Sequence, residues 1–445
     1  MSAQRAVVVG AGVAGLTAGY RLTRAGFEVT VLEAEATVGG RLSTLVKDGF
    51  RFDLAASMML NSYRNTVALV AELGLDTEVE TPDVVNGVYR DGVVHALGGP
   101  KDALGSKLFS AKAKLRMTAL VADVLRHRKA LNWGDEAAAA ELDLGSAQAY
   151  ADRRLRNPEL RDQLLDPACR FLGLDSLDNI SAVDFLALAR NMGATGFFNH
   201  PEGMGFLTRA LAARIARVET NARVTSVVEE GSEVRVSWAR AGESEHTETA
   251  DVCVLAVPAP VLVEIAPQLD AQRKEILGDV VYSPSVNVFL GLDAPPKEPS
   301  WLVLIPGNAE PELACVILDH NKASGRTPAG GGLLSTYWQR EWSEAHRDDP
   351  DDALVDAALA ATRRVLPGTD DQVAVAHVQR WRHALVTGPV RRHRDLARLR
   401  ALTPDSSRIR LAGDAVSTSN VEACVVSGRR AAGEAVRAAR GSGAG

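Results

Sequence analysis

Apolar positions 6–9 form an unbroken run of strand length that stops at Gly10, and a helical pattern over residues 14–24 leads into a second strand-like run at 28–32. This order predicts a strand–helix–strand unit at the start of the chain. From about residue 102 to 190 the spacing turns helical, with Met117, Val121, Val124 and Leu125 falling on one predicted helix face, and the segment reads as a helical insertion. Strand patterns return at 218–238 and at 252–257, where Pro258 and Pro260 end the run. Strand-like stretches at 285–292, 302–305, 314–318 and 333–338, separated by Pro and Gly clusters, predict a second sheet. A strand at 409–412 and a helix over 421–439 close the pattern, and residues 441–445 are expected to fray.

Chemistry enters at the first turn. Gly10-Ala11-Gly12-Val13-Ala14-Gly15 lies directly between the first strand and the first helix. Gly10 permits a tight turn, Gly12 lets the backbone approach a pyrophosphate, and Gly15 allows close packing of helix on strand. The helix N-terminus offers unpaired N–H donors to the phosphates. Glu33, 18 residues after Gly15 at the end of the second strand, is placed to hydrogen-bond a ribose diol, and an acid there disfavours NADP.

The chain continues through Glu33-Ala34-Glu35-Ala36-Thr37-Val38-Gly39-Gly40-Arg41-Leu42 and later carries Phe52-Asp53, Pro201-Glu202-Gly203-Met204-Gly205 and Leu411-Ala412-Gly413-Asp414. Along nearly its full length this set resembles the flavin amine oxidase, protoporphyrinogen oxidase and carotenoid desaturase superfamily of FAD-dependent oxidoreductases. The resemblance implies an α/β protein with a discontinuous Rossmann-like FAD-binding domain of the GR2 type at 1–95, 200–275 and 395–440. It also implies a second α+β substrate domain at 96–199 and 276–394 that combines the helical insertion with a mixed sheet. FAD would be held by Gly10, Gly12, Val13, Ala14, Gly15, Glu33, Ala34, Gly39, Gly40, Arg41 and Leu42. Val224 matches the position whose backbone meets adenine, and Gly413 and Asp414 match the ribityl and pyrophosphate contacts. Val421 with Glu422 begins the helix whose N-terminus points at the flavin pyrimidine carbonyl, where it would stabilise the charge of reduced flavin.

Within the superfamily, Val88-Tyr89-Arg90-Asp91-Gly92, Leu108-Phe109-Ser110, Lys114-Leu115-Arg116 and Asp184-Phe185 are more similar to the protoporphyrinogen oxidase and desaturase side than to the amine oxidases. Amine oxidases of this kind flank the flavin with an aromatic cage and use a lysine to hold a water near N5. The matching positions here are Asn420, Leu385-Val386-Thr387 and Asn287, which argues against an ordinary amine substrate. Asp53-Leu54-Ala55-Ala56-Ser57 lacks the glycine that relatives carry soon after the acid. Ser57, Met58, Asn287 and Asn420 are the candidate pocket residues, and Met58 and Met59 read equally well as core. His200, His320, His383 and Asp319 are candidate acids or bases in spacings that do not demand catalysis. The expected reaction passes a C–H hydride, from a C–C or C–N unit of a largely apolar small molecule, to flavin N5, with reoxidation by dioxygen or another acceptor. One alternative is an amine or amino-acid oxidase with a non-standard pocket. Another is a non-catalytic prenyl-escort protein, against which the retained Glu33, Gly39-Gly40-Arg41 and Gly413-Asp414 argue.

Composition narrows the remaining options. With 445 residues, 46% of them hydrophobic and 24% charged, the chain suits a two-domain globular protein, and a net charge of -6 gives a nucleic-acid role no support. Cys169, Cys253, Cys315 and Cys424 are too far apart for a zinc site or disulfide scaffold and are expected to be buried thiols; no metal signature is present. Without a leader pattern or an apolar stretch of spanning length, a soluble cytoplasmic protein is expected. Between Lys101 and Leu131, eight basic residues stand against two acidic ones, interleaved with Leu104, Leu108, Phe109, Leu115 and Met117. A solvated face over the substrate domain is the expected reading, and contact with an anionic membrane surface is its alternative.

Overall fold

The computed structural model describes residues 3–83, 85–98, 105–106, 108–192, 196–369 and 373–441. Lys101, Leu104 and the residues 442–445 expected to fray lie outside these. Strand Arg5–Val9 lies between Glu28–Leu32 and Val252–Leu255, and Arg217–Glu219 and Ile409–Leu411 complete a five-stranded parallel sheet. A parallel sheet is covered on both faces, which is why its inner strands at 6–9 and 252–255 read as continuous apolar runs. Side-chain alternation sends Ala6 and Val8 into a core shared with helices Val13–Arg24 and Val421–Gly441. Val7 and Val9 instead enter a core shared with Val227, Val234 and Val236 of the antiparallel strands Arg223–Glu230 and Glu233–Ala239.

The second sheet has seven strands in the order 373–386, 282–292, 332–338, 313–318, 302–304, 86–90, 93–97, all antiparallel except the pairing of 302–304 with 86–90. Its long member Val373–Val386 carries polar and charged residues through its middle, His377, Gln379, Arg380, Arg382 and His383, and it is missing from the sequence reading. The hairpin Asn86–Arg90 and Val93–Leu97 joins this sheet rather than the parallel one. The expected boundary at residue 95 falls inside strand Val93–Leu97 of this hairpin.

Helices Ala111–His127, Asp166–Gly173 and Ala182–Met192, with shorter turns between them, form the insertion. The expected single face of Met117, Val121, Val124 and Leu125 splits. Met117 and Val124 pack inward beside Ala113 and Leu120, whereas Val121 and Leu125 are exposed. At 3.6 residues per turn the inward row is 113, 117, 120, 124, and positions 121 and 125 are rotated off it.

Candidate cofactor and substrate site

The first turn is shaped by backbone contacts that side chains would block. At Gly10 (φ +97°) a Cβ would lie 2.6 Å from the Ala256 carbonyl oxygen, and at Gly15 it would lie 2.0 Å from that of Gly10. At Gly12, the N-cap of Val13–Arg24, a Cβ would meet nothing within 4 Å and no side chain caps the helix. The first-turn N–H groups thus face open space, as a phosphate cradle requires. The second glycine pair closes over this start: the Gly39 N–H donates to the Ala11 carbonyl at 2.8 Å, Gly12 and Gly39 are bridged, and a Cβ on Gly40 would sit 3.7 Å from Gly12 Cα.

Glu33 accepts from the Ala11 N–H at 2.7 Å and the Glu35 N–H at 2.9 Å. Burial raises its carboxyl above the ordinary range, against the pull of those two N–H groups. Ala34 follows directly. The Ala222 N–H donates to the Glu33 carbonyl at 2.7 Å and the Asn221 N–H to that of Glu35 at 3.0 Å, which brings buried Val224 to the same end of the sheet.

Arg41 reaches across to the last motif, forming a close ion pair with Asp414 and donating to the Ala384 carbonyl at 3.1 Å. Asp414 also accepts from Ser419 Oγ at 2.8 Å and the Tyr282 hydroxyl at 3.2 Å. Burial pushes its pKa up, but Arg41 and these hydrogen bonds outweigh burial and hold it below the usual carboxylate value. Gly413, at φ +89°, donates its N–H to Ser427 Oγ at 2.9 Å, so the final helix and this turn are fixed together. At that helix's start, Asn420 Oδ1 caps the Ala423 N–H at 2.8 Å. Glu422 turns away to receive the N–H groups of Asn65 and Thr66, the Asn65 amide and the Thr66 hydroxyl at 2.6–3.0 Å. In this way it caps the neighbouring helix Arg64–Glu72.

A cavity of about 230 Å³ is walled by both sets of expected residues. Gly12, Val13, Ala14, Gly39, Arg41, Leu42, Gly413, Asp414 and Val421 line it, and so do the pocket candidates Ser57, Met58, Asn287 and Asn420. Gly10, Gly15, Glu33, Ala34, Gly40 and Val224 stand outside its walls, and Met59 is buried in the core. Cys424, expected to be core, is half-buried and lines the cavity; the other three cysteines are buried. His200, His320, His383 and Asp319 do not contribute to the wall.

Sequence reasoning missed the aromatic part of this wall. It looked for aromatic residues at 420 and 385–387, whereas Tyr63, Trp133, Phe171 and Tyr337 enter from four other segments. The Tyr63 and Trp133 rings meet edge to face, with centroids 5.6 Å apart. Tyr337 is paired in register with Asn287, so the strand pairing carried a signal; Trp133, in a loop of the insertion, has no local one. The loop of residues 54–57 is held from outside. Asn287 Nδ2 and Trp381 Nε1 donate to the Leu54 carbonyl at 3.0 and 2.9 Å, the Tyr337 hydroxyl to Ala55 at 3.0 Å, and Asn199 Nδ2 to Ser57 at 2.8 Å.

An uncapped helix start, two interlocked glycine turns and a buried cation–anion pair on one cavity fit a bound dinucleotide. The chain belongs to the family described as flavin containing amine oxidoreductase, which matches residues 13–436, and its cofactor is FAD. It is 30% identical to the L-amino-acid oxidase of Mus musculus over 331 residues, covering 67% of the chain and 48% of that relative, so it spans about half that protein's length. It is 27% identical to the coproporphyrinogen III oxidase of Mycobacterium leprae over 98% of both proteins. Cyclohexylamine oxidase from Brevibacterium oxydans shares its fold, with a TM-score of 0.76 over 99% of this chain and 100% of that one at 16% identity. Among the described residues no helix is long and apolar enough to cross a membrane.

Proposed function

We propose that the protein oxidises a largely apolar, uncharged small molecule by taking a hydride from a C–H bond. This chemistry is nearer to that of the desaturases than to that of the amine oxidases. One observation carries the reading: Arg41 and Asp414 are the only charged side chains among the described residues that line the cavity, and they are paired with each other. A substrate carboxylate or ammonium brought into this space would leave water without a free charged side chain to pair with, at a cost of several kcal/mol.

FAD supplies the hydride acceptor, and dioxygen or another acceptor restores it. The chain's own contribution is placement and dryness. Tyr63, Trp133, Phe171 and Tyr337 offer flat apolar walls, and the pinned loop 54–57 fixes the position of Ser57 beside them. The start of the final helix, capped by Asn420, presents its positive end to the cavity and favours negative charge there.

The same four rings support a second reading, an amine oxidase that holds its substrate cation by ring faces rather than by a carboxylate. Anaerobic rapid mixing separates the two. Bleaching of the flavin absorbance by neutral polyene precursors, with simple amines and carboxylated compounds slower by roughly a hundredfold, is expected from a several-kcal/mol penalty. Fast bleaching by amines with none by neutral compounds would transfer the assignment to the second reading.

A further inference from the structure

We infer that the outward face of helix Ala111–His127 docks on an anionic lipid bilayer. Its inward row, Ala113, Met117, Leu120 and Val124, is already packed into the core of the insertion. Three large apolar residues remain outside it, with Leu115 70%, Val121 51% and Leu125 61% exposed. At 100° per residue, Leu115, Thr118, Ala122 and Leu125 form one stripe on the outer side, and Val121 borders it.

Charge says what covers this stripe. Lys114 and Arg128 flank it on one side and Arg126, Lys112 and Arg116 on the other, with Lys129 just past its end; all but half-buried Lys114 are exposed. The helix has a single acid, Asp123, and that is turned inward, where Arg154 meets it at 2.7 Å and the Tyr150 hydroxyl at 3.0 Å. The outer face of the helix therefore carries cations without anions, on a chain whose net charge is -6. An acidic protein is repelled by an anionic surface as a whole. A local basic row within a Debye length of that surface reverses the sign there, and an apolar centre between basic flanks is the arrangement of a helix lying in a bilayer interface. The turn packed against this helix adds exposed Arg153 and Arg156 against one exposed acid, Asp152.

The test uses the full-length holoenzyme and co-sedimentation with vesicles of phosphatidylcholine alone or mixed with phosphatidylglycerol, at low and moderate salt. Binding is expected only with the anionic vesicles and should weaken as salt rises. Each of Lys112→Gln, Lys114→Gln, Arg126→Gln and Arg128→Gln should weaken it by roughly fivefold. Leu115→Gln with Leu125→Gln should abolish it at unchanged flavin absorbance and unchanged melting temperature. No sedimentation with anionic vesicles at low salt overturns the inference, and so does salt-sensitive binding that the double leucine variant leaves intact. A dimer in light scattering that the leucine variant dissociates, without vesicle binding, also overturns it and assigns the stripe to a second copy of the chain. None of these readouts depends on turnover.

Discussion

Asp414 and Asn420 show how single residues act on this cavity. Asp414 is buried yet ionised, because Arg41 sits against it, and Arg41 keeps 29% side-chain exposure on the cavity that both of them line. Asp414→Asn leaves the guanidinium without its anion and removes a charge-assisted bond, so FAD affinity is expected to fall roughly tenfold or more, read by fluorescence titration of released flavin. Unchanged affinity would remove the pair from the cofactor cradle. Asn420 acts through the backbone. Asn420→Ala should cost about 1 kcal/mol of stability in thermal melts, whereas Asn420→Asp, which keeps an oxygen for the Ala423 N–H, should cost little. What could be read in advance at this scale follows from the same distinction. Gly12, Arg41 and Asp414 belong to local motifs whose spacing fixes backbone shape, and they were legible. Tyr63, Trp133, Phe171 and Tyr337 share a wall only because the tertiary fold brings four segments together, and no local spacing encodes that.

Between elements, the tightest requirement falls on a residue the sequence reading passed over. Gly428 lies where Val421–Gly441 crosses Val13–Arg24, and a Cβ there would stand 2.2 Å from the Ala14 carbonyl oxygen. Ala14 lines the cavity, so forcing the two helices apart also disturbs the cavity wall. Gly428→Ala is expected to cost about 1–3 kcal/mol and to lower the ratio of flavin to protein absorbance after purification; a variant with full flavin content and an unshifted melting temperature would contradict this packing. In a continuous helical pattern such a glycine leaves no trace in the hydrophobic period, whereas Gly10 and Gly15 announce themselves by punctuating a strand and a helix. The same limit explains two other differences. The strand Val373–Val386 is interrupted by polar and charged residues from His377 to His383, and the outward Val121 and Leu125 look like core residues because periodicity reports apolar spacing without saying what covers each face.

At the scale of the whole molecule, strand Phe50–Asp53 and the segment following strand Leu313–Leu318 are joined by a buried ionic cluster. Asp53, which ends strand Phe50–Asp53, accepts from the Met204 N–H and the Thr44 hydroxyl, each at 2.8 Å. It also pairs with Lys322 at 3.1 Å and closely with Arg326, both of which follow strand Leu313–Leu318 of the seven-stranded sheet. Lys322 is shared with Asp319, so two acids face two cations, all fully buried or nearly so. Burial alone would raise the Asp53 pKa, but Arg326 and Lys322 outweigh it and bring the group to about 2. A carboxylate depressed on folding contributes stability that is complete above its unfolded-state pKa near 4 and is lost as pH falls toward 2. A depression of that size corresponds to about 2 kcal/mol. The wild-type protein should therefore lose stability between about pH 4 and pH 2, with no contribution from this group to any alkaline transition. Asp53→Asn should flatten that acid limb and, at neutral pH, cost about 3–5 kcal/mol because two cations stay buried with one anion. Loop 54–57 begins at Asp53, so the same substitution should loosen FAD before global unfolding, visible as flavin release at a lower temperature than the loss of tryptophan fluorescence. Coincident release and unfolding in the variant, as in the wild type, would show that the cluster ties this strand to the seven-stranded sheet without reaching the cavity.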